Sequence, residues 1–237
     1  MTQTRTAIIV AHGQPSDPAP AEADLARLTA AVATLMPGWQ LGSATLAAPG
    51  ALERTIQDIE SPIIFPFFMA EGWFTRKALP DRLAAAGAEG LTRLPAFGTM
   101  AATHELAVRA ARMATLGREW KIPDTTLILA AHGSGRSRAP AEAAEGMANS
   151  IRAALPFREI RLGFIEEAPG LQEVATDAGA RTLCLPLFVA RWGHVVSDIP
   201  AALAAAAYRG PCLAPLGTRR EVPGIIAAAL AEAAGEG

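Results

Sequence analysis

The chain has 237 residues, of which 51% are apolar and only 5% aromatic, and its formal net charge is -2. That length allows one large domain or two ordinary ones, and the apolar fraction is enough for a sizeable core. Near-neutral charge excludes a general electrostatic footprint for nucleic acid or an anionic membrane surface. Much of the apolar content is alanine, which suits helices packed closely on sheets. Only Lys77 and Lys121 are lysines; the other basic residues are arginines. Cys184 and Cys212 form no CxxC pair, so the spacing indicates neither a zinc nor a redox motif, and Cys184 reads as a buried free thiol. The apolar run after the N-terminus is too short for a signal peptide, and Ala201–Ala207 is too short for a membrane span. A soluble cytoplasmic protein is expected.

In chain order, short apolar runs alternate with alanine-rich stretches of helical spacing. The first half predicts strands at Ala7–Ala11, Leu41–Leu46, Ile63–Phe68 and Leu91–Ala96. Between and after them come helices at Glu22–Leu35, Leu52–Ile59, Leu79–Ala86 and Thr103–Leu116. The pattern breaks at Trp120-Lys121-Ile122-Pro123-Asp124 and then restarts. Strands follow at Thr126–Ala131, Ile160–Phe164, Thr182–Phe188 and Cys212–Leu216, with helices at Ala139–Leu155, Leu171–Ala178, Asp198–Tyr208 and Val222–Ala233.

The two halves are one unit written twice. Ile8-Ile9-Val10-Ala11-His12-Gly13 resembles Ile128-Leu129-Ala130-Ala131-His132-Gly133, 120 positions later. Ala48-Pro49-Gly50 and Pro66-Phe67-Phe68 recur in the same frame as Ala168-Pro169-Gly170 and Pro186-Leu187-Phe188. Strands without polar alternation, joined by helices, form parallel sheets buried on both faces. The fold class is therefore α/β: two tandem duplicated domains, 1–120 and 121–237, each a parallel sheet of about four strands flanked by helices, with a cleft between them.

Ligands of open parallel sheets bind beyond the carboxyl ends of the strands. In the second copy that edge collects His132 after the first strand, Glu166 and Glu167 after the second, and Arg191, Trp192, Gly193 and His194 after the third. Two neutral imidazoles and a carboxylate suit a divalent first-row metal. A histidine at a strand end is equally well a hydrogen-bonded structural residue. Asp198 precedes a helix containing Pro200 and reads as its N-cap; the alternative is a carboxylate that orients His194.

These residues resemble a family, the CbiX/SirB-type class II tetrapyrrole chelatases, which insert cobalt or iron into sirohydrochlorin or its relatives. The resemblance rests on Ala131-His132-Gly133-Ser134, on Phe164-Ile165-Glu166-Glu167-Ala168-Pro169, and on Pro186-Leu187-Phe188 with Gly193-His194-Val195 and Asp198-Ile199-Pro200. It covers most of Thr126–Leu216. It implies that His132 and His194 are the metal-binding and proton-accepting pair and that Glu166 is their acidic catalytic partner. Trp192 stands where the family often has glycine. The first half departs further: His12-Gly13 survives, but Phe74 aligns with His194 and Leu46 with Glu166. His12 is then a relic or a wall. His104 has no motif and reads as an ordinary helix histidine.

The resemblance implies metal insertion into a tetrapyrrole for cobalamin or siroheme synthesis, with Co2+ or Fe2+ as substrate metal and no permanently bound cofactor. Ser134, Arg136, Arg138, Trp192 and His12 are the candidate substrate contacts, with Arg191 also near the cleft mouth. The expected partner is the tetrapyrrole alone, with no nucleic acid or membrane, and the chain is a monomer or homodimer. The alternative is a metal or tetrapyrrole carrier without catalysis. A serine hydrolase is disfavoured because no GxSxG elbow occurs, and an Arg-His-Gly phosphatase because Ala131 precedes His132.

Overall fold

The computed structural model describes residues 5–235, so the ends of the expected domains 1–120 and 121–237, residues 1–4 and 236–237, lie outside the described residues. The first copy runs β1 (Arg5–Ala11), α1 (Pro18–Ala33), β2 (Trp39–Thr45), α2 (Ala51–Asp58), β3 (Ile63–Pro66), α3 (Leu79–Ala85) and α4 (Ala101–Leu116). The second runs β4 (Thr126–Ala131), α5 (Ala139–Ala154), β5 (Glu159–Phe164), α6 (Leu171–Ala175), β6 (Thr182–Pro186), the single turn α7 (Gly193–Val196), α8 (Asp198–Ala205) and α9 (Val222–Ala233). Pro18, Pro80, Pro140 and Pro223 stand in the first turns of α1, α3, α5 and α9. A missing N–H is harmless there, and the fixed φ favours helix entry. Helix α6 stops earlier than its apolar spacing predicts, just before Asp177, whose φ is +55°.

Each copy builds its own three-stranded parallel sheet, in the orders β2-β1-β3 and β5-β4-β6. The first strand of each copy is central and pairs on both sides. Leu127, Ile128, Leu129 and Ala130 of β4 are wholly buried, as are Ala7 through Ala11 of β1. Removing each large side chain of this kind from water contributes about 1.5–3 kcal/mol. This is why these runs show no polar alternation.

The expected fourth strand is reduced in both copies to one isolated bridge, Ile64 with Arg93 and Cys184 with Cys212. Proline explains the truncation. Pro95 directly follows Leu94, whose N–H donates to the Ile64 carbonyl, while Pro211 and Pro215 bracket the second bridge. Proline cannot extend a ladder it cannot donate to.

Packing divides the described chain at different points from the repeat. One compact unit runs through Gly98 and adds the segment from Arg220; the other is Thr99–Arg219. Helix α4, which closes the first copy in sequence, lies on α5 and β6, and α9 lies on α1 and β3. Helix α4 buries Leu106, Ala107, Ala110 and Ala111, and α5, on which it packs, buries Ala144, Met147, Ala148 and Ile151. His104 Nδ1 is 2.7 Å from Ser150 Oγ across the same contact, the structural role its lack of a motif suggests. Among the described residues, no helix is long and apolar enough to cross a membrane.

Both copies keep one close backbone crossing after their last bridge. Gly98 N–H donates to the Phe68 carbonyl and Gly217 N–H to the Phe188 carbonyl, each at 2.9 Å. A Cβ on Gly217 would lie 2.3 Å from the Val189 carbonyl oxygen, and one on Gly98 2.0 Å from that of Met69. Backbone cannot yield as a flexible side chain can. Gly217→Ala should therefore destabilise the protein by about 1–3 kcal/mol. Thermal unfolding should show a Tm several degrees below wild type.

Candidate metal and proton-transfer site

The strand order β5-β4-β6 places the first strand of the unit between the second and third. Its topological switch point, the natural ligand crevice of a parallel sheet, lies at the carboxyl edge between β4 and β6. His132 leaves β4 at that edge and His194 lies beyond β6, on α7. The turn after His132 depends on Gly133, whose φ is +72°. A Cβ there would also meet Phe164 and Glu167 within 3 Å, so only glycine fits both the conformation and the space.

The two imidazoles meet edge to face, with ring centroids 4.6 Å apart and planes at 89°. Phe188 stands behind both, 6.5 Å from the His132 ring and 6.4 Å from the His194 ring. Glu166 joins them: ligand atoms of His132, Glu166 and His194 all lie within 4.8 Å of one another. A transition metal bonded to nitrogen or oxygen at about 2.0–2.2 Å spans nearly this separation, so small side-chain rotations would close a three-point site. His132 and Glu166 are exposed and His194 is half-buried. A solute therefore has direct access.

The ring tautomers follow from the acceptors. His132 Nδ1 is 2.9 Å from the Gly133 carbonyl, and His194 Nδ1 is 2.6 Å from Asp198 Oδ2. Both oxygens can only accept, so each Nδ1 donates and each neutral ring leaves its Nε2 lone pair for a metal or a proton. Asp198 is the first residue of α8, Ser197 holds the N-cap position, and no side-chain cap bond forms. The N-cap reading of Asp198 is thus corrected: its carboxylate orients His194.

The adjacent acids divide their tasks. The Glu166 side chain turns to the histidines, while Glu167 Oε1 accepts the Ser134 N–H at 3.2 Å and fixes the loop after Gly133. Glu167 had no assigned role in the sequence, because adjacent carboxylates look equivalent until the turn is built. Ser134 Oγ accepts the Arg136 N–H at 3.2 Å, so this hydroxyl shapes the loop. Arg136 is exposed, and Arg138 reaches Glu142 and Glu145 at 3.7 and 3.9 Å along α5. Trp192 is half-buried, directly before α7.

The equivalent edge of the first copy is built differently. The His12 ring packs on Phe74, with centroids 4.1 Å apart, and Phe68 and Trp73 extend the cluster at 6.3 and 5.1 Å from Phe74. Near Leu46, the counterpart of Glu166, Arg82 grips Glu53 through two bonds of 2.7 and 2.6 Å and donates a third, of 2.8 Å, to the Leu46 carbonyl. An aromatic cluster and a bidentate ion pair occupy the place of a metal-ligand set.

Fold and site together define a class: a duplicated parallel α/β protein with, among the described residues, an imidazole–carboxylate site on one copy only. Residues 126–233 match the CbiX family. A CbiX structure, described as the terminal enzyme for siroheme biosynthesis in denitrifying bacteria, is 44% identical, with a TM-score of 0.89 over 97% of this chain and 99% of its own. The chain belongs to the CbiX/SirB-type family of tetrapyrrole chelatases. The fold is also that of SirB from Bacillus subtilis with Fe3+, at 16% identity and a TM-score of 0.73 over 99% of this chain and 98% of that one. The sirohydrochlorin chelatase SirB from Bacillus subtilis subspecies spizizenii, in complex with cobalt, aligns at 15% identity and 0.71 over 98% and 96%. Comparison with curated protein sequences finds no match.

The Arg82 guanidinium holds the Glu53 carboxyl below its ordinary range, chiefly by hydrogen bonding. The pair is a quarter to a third exposed, so its contribution is about 1 kcal/mol. A depressed folded pKa stabilises above the unfolded carboxyl value, and the contribution is lost as pH falls through the folded value. Arg82→Met should be less stable than wild type at pH 7, and denaturant titrations should show the gap narrowing as pH falls through the acid range below the ordinary glutamate value.

Proposed function

We propose that the protein inserts a divalent first-row metal ion into sirohydrochlorin, with His132, His194 and Glu166 as the groups that handle metal and protons. The observation that carries this reading is the convergence of those three side chains at the switch point of the second sheet. Its support from relatives is the 44% identical CbiX, whose described role in siroheme biosynthesis favours ferrous iron over cobalt.

The reaction replaces two pyrrole protons by one M2+, so it needs a metal donor and two proton acceptors. The lone pairs on His132 Nε2 and His194 Nε2 match that demand. Asp198 fixes His194 and stabilises its imidazolium once a proton arrives, much as a buried carboxylate supports a catalytic histidine. Because Asp198 already orients His194, Glu166 is left to face the metal and to pass protons to water. Its exposure suits both tasks. Ser134, Arg136, Arg138, Trp192 and His12 remain our candidates for contacts with the macrocycle and its carboxylates; arginine pairs with carboxylates in a bidentate way.

Anaerobic mixing of the protein with sirohydrochlorin and Fe2+ or Co2+, followed by absorbance, tests the reading. His194→Ala should lower turnover by about 10²–10⁴-fold, the usual contribution of a positioned acid–base group. An unchanged rate in that variant would reject the site. Asp198→Asn should weaken Co2+ binding, read from the visible spectrum, by about 10–100-fold. Tight binding of metal or macrocycle with no insertion over hours would instead identify a carrier.

A further inference from the structure

The two cysteines are 28 positions apart and share no motif, yet the fold makes them neighbours. Cys184 is the middle residue of β6, and Cys212 is its partner in the isolated parallel bridge beyond that strand. The Cys184 N–H donates to the Pro211 carbonyl at 3.0 Å, and the Leu213 N–H donates to the Cys184 carbonyl at 2.8 Å. Bridge partners project their side chains to one face of the sheet. Adjacent strands lie about 4.7–4.9 Å apart, within the span of about 4.4–6.8 Å between Cα atoms that a disulfide needs. Tyr208 secures the approach, its hydroxyl lying 2.8 Å from the Thr182 carbonyl and 3.2 Å from that of Pro211.

The thiols differ as an exchanging pair must. Cys184 is wholly buried among Ile128, Leu171, Ile199 and Leu203, whereas Cys212 is exposed. The neighbouring Cys184 thiol, with the positive charge of Arg191, holds the Cys212 thiol below its ordinary pKa. The same neighbour, with burial, pushes Cys184 up. An accessible sulfur with enhanced thiolate character beside a buried protonated one gives an attacking and a resolving cysteine. The pair is private to this copy: the same bridge in the first copy joins Ile64 to Arg93.

We propose that Cys184 and Cys212 form a reversible intramolecular disulfide when the protein meets a low-molecular-weight disulfide such as oxidised glutathione. The Cys212 thiolate attacks one sulfur of the oxidant, breaks its S–S bond and releases the first small thiolate. Cys184 then attacks Cys212 Sγ in the mixed disulfide, and its proton passes to the second departing thiolate. The protein is oxidised by two electrons, and one small disulfide becomes two small thiols. The product is a covalent staple between β6 and the segment that carries Pro211 and Leu213, in the sheet whose carboxyl edge bears the histidine pair.

Full-length native protein, incubated anaerobically with oxidised glutathione, is assayed by denatured thiol titration and intact mass. Titratable thiols should fall from two to none, with a mass lower by two hydrogens and full recovery on reduction. Peptide mapping should find Cys184 joined to Cys212. Cys184→Ala should stop at a stable glutathione adduct on Cys212. Cys212→Ser, at an exposed position that leaves the core intact, should keep its one thiol unmodified. The proposal is overturned if wild type retains both thiols, if it accumulates the same glutathione adduct as Cys184→Ala, or if oxidation yields only a dimer linked through Cys212. Metal insertion enters none of these readouts, so they stand apart from the proposed activity.

Discussion

Parallel pairing of β4 on both of its sides is the constraint from which the site follows. A strand paired twice and covered on both faces must be apolar throughout, so its first chemically useful residue is the one just past its end. His132 occupies that position. The order β5-β4-β6 then brings the end of β6 alongside the end of β4, and His194 arrives from a different part of the chain without a long excursion. Gly133 turns the chain away from the sheet in a conformation that a side chain would strain. The His132 imidazole is therefore held directly at the end of the central strand, and the His194 imidazole on the turn that follows β6.

The duplication shows how one scaffold supports two outcomes. Both copies retain the sheet order, the glycine after the first strand and the glycine crossing after the last bridge. They differ in what stands on the carboxyl edge. In one, His132, Glu166 and His194 present lone pairs and a carboxylate outward. In the other, His12 lies against Phe74, and the Glu53 carboxylate near Leu46 is held by Arg82. A carboxylate that accepts two guanidinium bonds has little capacity left for a metal. The first copy thus keeps the architecture of the site while an arginine holds the carboxylate near Leu46.

Much of this was legible before any coordinates. Apolar runs without alternation located β1, β3, β4 and β6, and the repeat fixed their equivalence. The motifs around His132, Glu166 and His194 selected the three residues that the fold brings together. What escaped the sequence shares one cause: it depends on which distant group a residue meets. Asp198 beside Pro200 fits both a helix cap and a partner for His194 in sequence, and the turn of α7 decides for His194. Cys184 and Cys212 look unrelated until the last extended segment lies beside β6. The fourth strands failed for a local reason, since Pro95, Pro211 and Pro215 were visible and their missing donors limited each ladder to one bridge.

Helices α4 and α9 carry a consequence for how the chain is made. The unit with the histidine pair is continuous, Thr99–Arg219, so every residue it packs is synthesised before α9. The other unit is split: β1, β2 and β3 precede the continuous unit, but α9, which packs on α1 and β3, follows it. Domains fold as units during synthesis when their parts are available. The unit that holds β1 is therefore completed only after the unit with the histidine pair has been synthesised, because α9 follows that unit in the chain.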